Sequence, residues 1–182
     1  MTQTLRKFEI RPARHSDIEA LQALIVQSAR GLSGEDYSDA ELEAAITYVF
    51  GVDSELVADG SYFTILSGAE YVACGGWSRR QTLFGGDQFK GRAEGFLDPQ
   101  TDAAKIRAFF VHPDYARQGL GRMLLEHCEA AAQAHGFKRM EMMATLPGIN
   151  LYRACGYAGD EVIAFAVPDG RTVRFVPMSK AF

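Results

Sequence analysis

IRAFFVHPDYARQGLGRMLLEHCEAAAQAH, residues 106–135, is the stretch whose reading decides the fold. It opens as a strand rich in apolar residues that ends at Phe109-Phe110-Val111. Pro113 stops the strand, because proline brings no N–H to a ladder. Arg117-Gln118-Gly119-Leu120-Gly121-Arg122 follows, and then Leu120, Met123, Leu124, His127, Cys128, Ala131, Ala132 and His135 recur at the amphipathic helical period. The glycines therefore stand where a strand turns into a helix. The first N–H groups of a helix lack internal partners, and the helix dipole puts partial positive charge beside them. Glycine lets main chain approach a ligand with no Cβ between them. Together these make an anion site of backbone amides, and Arg117 and Arg122 add fixed charge to the same turn. A pyrophosphate is the natural guest. The Gly-Lys-Ser/Thr of a P-loop is absent, and the glycines stop at Gly119 and Gly121, short of the GxGxxG of dinucleotide sites.

Outward from this segment, Phe8, Ile10 and Pro12 alternate with Glu9 and Arg11 as a first strand. Ser16-Asp17-Ile18-Glu19 reads as a capping box with Ser16 as N-cap, opening a helix that Gly31 and Gly34 end. Ser38-Asp39-Ala40-Glu41 is a second capping box, starting a helix to about Phe50. Strands at 61–67 and 70–78 flank a tight turn at Gly68-Ala69. Gly85, Gly86, Gly91, Gly95 and Pro99 mark a long loop, Arg80 to Ala104, of the kind that is functional or mobile. After the central strand (Lys105 to Val111) and helix (Gly119 to His135, closed by Gly136) come a strand at 138–145 and a short helix at 150–155. Two last strands, 161–167 and 171–178, meet through the turn Pro168-Asp169-Gly170. The strand–helix–strand unit implies a parallel crossover and the hairpins imply antiparallel pairs. The fold class is therefore α/β in the α+β sense, a mixed, mostly antiparallel sheet with helices on both faces. It forms a single domain over residues 1–182, with its core at about 8–178.

The 182 residues, 47% hydrophobic and 11% aromatic, suffice for one packed core. A net charge of −4 argues against a nucleic-acid or membrane-surface binder. No apolar run approaches the roughly 20 residues of a membrane span, and Met1 to Ile10 has no apolar signal core. A soluble cytoplasmic protein is the expectation. Cys74, Cys128 and Cys155 contain no CxxC pair, and His15, His112, His127 and His135 form no ligand pattern with them, so no metal is expected.

Val111-His112-Pro113-Asp114-Tyr115-Ala116-Arg117-Gln118-Gly119-Leu120-Gly121 resembles the acyl-CoA loop of the GCN5-related N-acetyltransferase (GNAT) superfamily, a V-x-P segment followed by Arg/Gln-x-x-Gly-x-Gly/Ala. The leading Arg or Gln of that pattern falls on Ala116, with Arg117 and Gln118 beside it. Asn150-Leu151-Tyr152-Arg153-Ala154-Cys155-Gly156-Tyr157 resembles a later motif of the same family, and the order of elements agrees over nearly the whole chain. The resemblance implies acetyl-CoA as co-substrate and an N-acetyltransferase acting on a small-molecule or peptide amine. The alternative is a catalytically silent acyl-CoA-binding sensor or regulatory module. It implies the CoA pyrophosphate on the amides of Arg117, Gln118, Gly119, Leu120, Gly121 and Arg122, and the pantetheine arm as an extra strand beside Phe109, Phe110 and Val111, with the next strand splayed away. Asn150 would touch the CoA arm, an N–H of Val111 or a neighbour would serve the developing oxyanion, and Tyr152 would protonate the leaving thiolate. Glu35, Asp36 and Glu70 are candidate bases by position only. Cys155 as a nucleophile is disfavoured, because no histidine lies in its motif. The acceptor pocket is expected from Gly31 to Tyr37 and from the loop Arg80 to Ala104, with Tyr37, Trp77, Phe84 and Phe96 as walls. Homodimers are common among proteins of this kind.

Overall fold

The computed structural model describes residues 8–182. Its strands are β1 (Phe8–Pro12), β2 (Tyr62–Ser67), β3 (Glu70–Ser78), β4 (Ala104–Val111), β5 (Arg139–Thr145), β6 (Ile163–Ala166) and β7 (Thr172–Ala181). They form one seven-stranded sheet in the order β1-β2-β3-β4-β5-β7-β6. All neighbours are antiparallel except β4 and β5, which the crossover through helix α4 (Leu120–Ala134) makes parallel. The sheet is thus mixed and mostly antiparallel, as the hairpin and crossover signals imply.

Helices cover both faces. α1 (Ile18–Leu32), α2 (Asp39–Tyr48) and α3 (Ser54–Ala58) pack with Tyr62, Cys74, Phe110 and Phe175 into one core. α4 and α5 (Ile149–Ala154) pack with Phe63, Ile106, Met140 and Met178 into the other. The period of α1 shows why: Leu21, Leu24, Ile25, Ser28 and Ala29 form one buried stripe. In α4 the fully buried Leu124 and Leu125 each contribute about 2 kcal/mol. Gly136, at φ 89, ends that helix in the left-handed conformation that glycine adopts freely.

Several local readings are corrected. Asp17, not Ser16, closes the start of α1: its carboxylate accepts the Arg14 amide at 2.7 Å, the Arg11 guanidinium at 2.7 Å and the Tyr71 hydroxyl at 2.7 Å. Gly31 does not end α1 but lies in its last turn. A Cβ there would stand 2.4 Å from Cγ of Pro113, so its absence lets α1 approach the turn after β4. At α2 the Ser38 hydroxyl accepts the Glu41 amide at 3.2 Å, as its sequence implies. The Glu41 carboxylate, however, binds Arg174 instead of reaching back. α3 was not foreseen. At five residues it is too short to show a period, and the Asp53 side chain caps it by accepting the Glu55 amide at 3.0 Å.

Candidate active site

Everything at the site follows from where β4 leaves β5. The two pair only through Ala104–Met140 and Lys105–Glu141. Between the pairs Gly76–Arg107 and Cys74–Phe110, β4 inserts two residues, Ala108 and Phe109, opposite Gly75 alone. This is a bulge, and a bulge bends its strand. Ala108 takes φ 51, and its carbonyl accepts the Tyr62 hydroxyl at 3.0 Å, so the kink leaves that acceptor satisfied. Gly75 supplies the room: a Cβ there would lie 2.3 Å from Cδ1 of Phe109. The end of β4 is therefore an open edge, and β5 is splayed away from it.

The main-chain groups along that edge are not all free. His112 donates to the Val72 carbonyl at 2.8 Å, and alternation in an antiparallel pair turns the amide and carbonyl of Phe110 toward β3 and those of Val111 outward. Of the three residues expected beside the arm, Phe110 thus offers its ring and no strand hydrogen bond. The Val111 amide is taken by the buried hydroxyl of Ser28 on α1, at 3.2 Å, a partner eighty-three residues away that sequence gave no sign of.

A cleft of about 660 Å³ runs along this edge from the turn before α4 to Tyr152. Gly119 caps α4 at φ 84, and a Cβ on it would meet nothing within 4 Å, so the helix N-terminus opens onto space. The first intrahelical bond at this end is Met123 to Gly119, which leaves the amides of Leu120, Gly121 and Arg122 without helical partners. Arg117, itself at φ 63, and Arg122 line the cleft, whereas Gln118 does not and reaches back to the Asp114 carbonyl at 3.4 Å. The two glycines have different reasons. Gly119 supplies a left-handed turn, while Gly121 seats Leu151 of α5, whose Cδ2 would lie 2.7 Å from a Cβ.

α5 closes the other end. Asn150 is exposed on the rim of the cleft. Tyr152 is 6% exposed, with its ring given room by Gly148, where a Cβ would stand 2.8 Å from Cε2. Its hydroxyl takes no hydrogen bond from the described residues. Burial, reinforced by the nearby Cys128 and Cys155, raises its pKa well above the ordinary tyrosine value, so it holds its proton. Burial also raises the Cys155 thiol, which weakens it as a nucleophile.

Tyr152 lines a second, smaller cavity of about 50 Å³ on the far side of the split. Of the four expected walls only Phe84 lies there. Tyr37 is a buried strut, its hydroxyl donating to the Arg174 carbonyl at 2.8 Å and accepting the Leu146 amide at 3.1 Å. Trp77 packs on His135 and Phe137 in the opposite core, and Phe96 is exposed beneath Arg79 and Arg80. None of Glu35, Asp36 and Glu70 lines either cavity, and Glu70 instead accepts the Tyr115 hydroxyl at 2.5 Å. Among the described residues no three His, Cys, Asp or Glu side chains gather as metal ligands would.

Sequence reading missed a buried ion pair. Arg107, 2% exposed in the middle of β4, donates to Asp53 at 2.8 Å and to the carbonyls of Thr82 and Gly85 at 3.0 and 2.6 Å. It pins the long loop against α3, and Arg92 binds the same Asp53 at 3.0 Å. The signal was one arginine within an apolar strand.

Among known proteins, the model of the GNAT acetyltransferase family matches residues 24–157. A GCN5-related N-acetyltransferase of Rhodopseudomonas palustris aligns over 100% of both chains at 20% identity and a TM-score of 0.70. The PaiA N-acetyltransferase of Thermoplasma acidophilum, solved with coenzyme A, aligns over 97% of this chain and 99% of its own at 13% identity and a TM-score of 0.64. YncA of Salmonella typhimurium, solved with its cofactor acetyl-CoA, aligns over 96% of this chain and 93% of its own at 16% identity and a TM-score of 0.60. No curated protein matches. The match spans well over half of the chain, and the chain belongs to the GNAT family of acetyltransferases.

Proposed function

We propose that the protein is an N-acetyltransferase that moves the acetyl group of acetyl-CoA directly onto a primary amine. The observation that carries this is the course of the large cleft. It starts at unpaired helix amides, follows an open strand edge and ends at a protonated tyrosine that also faces a second cavity. Its volume, about 660 Å³, is of the size that holds a cofactor. The open N-terminus of α4 suits a diphosphate, with the amides of Leu120, Gly121 and Arg122 as donors and Arg117 and Arg122 as counter-charges. The open edge of β4 suits an extended amide-bearing arm, added as a strand. For that arm to reach the Val111 amide, the Ser28 hydroxyl must give up its bond.

Acetyl-CoA supplies an activated acyl group and a thiolate leaving group. The new N–C bond forms as the C–S bond breaks, the sulfur takes one proton, and the surplus proton of the amine leaves to water. Tyr152 is the donor to sulfur, and a second proton shed by the acceptor ammonium restores the phenol. Burial keeps the phenol protonated, so the proton is present when the thiolate forms. No carboxylate or imidazole among the described residues lines either cavity, so ordered water is the base. Titration calorimetry with acetyl-CoA, followed by thiol release across an amine panel, tests the proposal. Binding with no turnover on any amine would identify a silent acyl-CoA-binding module instead.

A further inference from the structure

The smaller cavity restricts what the acceptor can be. Phe50, Phe84, Phe110, Phe175, Met142 and Met143 are among the residues of its wall, and no Asp, Glu, Lys, Arg or His among the described residues lines it. The ionic cluster behind it is already occupied. Arg107 donates to the carbonyl of Gly85, itself a wall residue, and shares Asp53 with Arg92. Asp53 therefore has no spare capacity for an added ammonium, and the guanidinium of Arg107, with its Nε unpartnered, repels one.

Five residues line both cavities: Phe50, Phe109, Phe110, Thr145 and Tyr152. Of these only Thr145 and Tyr152 carry hydrogen-bonding side chains, so the reacting nitrogen belongs at that neck and the rest of the acceptor in the space beyond, which no charged side chain lines. That space is about 50 Å³, about a third of the enclosed cavity of about 150 Å³ known to bind benzene. The wall is stiff as well: the ring of Phe84 lies 4.7, 5.1 and 5.3 Å from those of Phe89, Phe165 and Phe175.

From these observations, and resting on the acetyltransferase function proposed above, we infer that the acceptor is a small primary amine bearing one short, uncharged aliphatic group, and not a diamine, a polyamine or a lysine side chain. Thiol release measured as kcat/KM along methylamine, ethylamine, propylamine and isobutylamine should rise about four-fold per added carbon until the cavity is full. Phenethylamine should fall at least tenfold below propylamine. 1,3-Diaminopropane, which is propylamine extended by a second ammonium, should fall at least a hundredfold below it. Met143→Ala, checked for folding by circular dichroism, should raise phenethylamine relative to propylamine by tenfold or more. Equal rates across the panel, or a preference for diaminopropane or a lysyl peptide, would overturn this inference and leave the acetyltransferase function standing. Failure of acetyl-CoA to bind in calorimetry, or no thiol release with any amine, would overturn both.

Discussion

Tyr152→Phe removes one hydroxyl and keeps a ring that is 6% exposed and seated over Gly148. The hydroxyl takes no hydrogen bond from the described residues, so its loss orphans no partner and stability should move by less than about 0.5 kcal/mol. The ring contact with Phe109, 6.4 Å between centroids, also survives, so the acetyl-CoA Kd should stay within about threefold. On the mechanism proposed, what disappears is the proton destined for the leaving sulfur. General acid catalysis contributes about 10²- to 10⁴-fold; because a thiolate leaves more readily than an alkoxide, a loss near the lower limit is expected, about 100-fold in kcat, or about 2.7 kcal/mol. Thiol release at saturating acetyl-CoA gives kcat, and calorimetry gives Kd. The reasoning fails if kcat falls less than about fivefold, or if Kd weakens in step with kcat, since either result makes Tyr152 a packing group. A pH series adds a second arm. Burial raises the tyrosine pKa, so the proton stays on through the alkaline range and wild-type kcat should show no falling limb up to about pH 10. A falling limb below that value, absent from Tyr152→Phe, would refute the retained proton.

Gly119→Glu asks for φ 84 from a side-chain-bearing residue, at a cost of about 1–2 kcal/mol. Its Cβ meets open space, so the fold should persist in a thermal melt while acetyl-CoA affinity in calorimetry drops more than about 100-fold through charge repulsion at the helix N-terminus; retained affinity would remove the turn from the site. Arg107→Met leaves the fully buried Asp53 with Arg92 as its one cationic partner, beside the Glu55 amide, and should lower stability in urea by about 3 kcal/mol, and a loss under about 1 kcal/mol would contradict the buried-pair argument. Asp17 is held below its ordinary value of 3.8 by the bond to Arg11, aided by Tyr71 and the Arg14 amide. Its contribution is thus complete above that pH and is lost as pH falls through the depressed native value. Asp17→Asn should cost about 1 kcal/mol at pH 7, kept small by solvent at Arg11, with the difference closing toward acid pH; a constant difference would assign the loss to packing.

Local signals carried the fold a long way. The stripe of α4, its glycine ends, the Ser38 cap and the turns at Gly68 and Gly170 each state their structure within a few residues, and the split sheet follows from a parallel crossover set among hairpins. The cleft was legible for the same reason: the turn at Gly119 and the motif at Tyr152 are contiguous in sequence. What stayed hidden depends on distant pairs. Asp53 meets Arg107 across the sheet, Ser28 meets Val111 from another element, and Tyr37 joins β7 to the end of β5. None of these has a spacing to read. Of the four aromatic residues expected as acceptor walls, Tyr37, Trp77 and Phe96 lie away from the smaller cavity, because aromatic residues look alike until topology sorts them by face. Trp77 and Phe84 fall on opposite sides of one sheet.

The two residue pairs that join β4 to β5 leave the sheet as two sub-sheets, β1–β4 and β5–β7, held together mainly by the layers above and below. A guest strand laid in the seam would bridge them the way a keystone locks an arch. Amide deuterium exchange should therefore slow in β5 and at the outer edge of β4 when that strand arrives, with little change deep in β2 and β3. The cohesion of the native domain would then be set partly by the cell's supply of its own co-substrate.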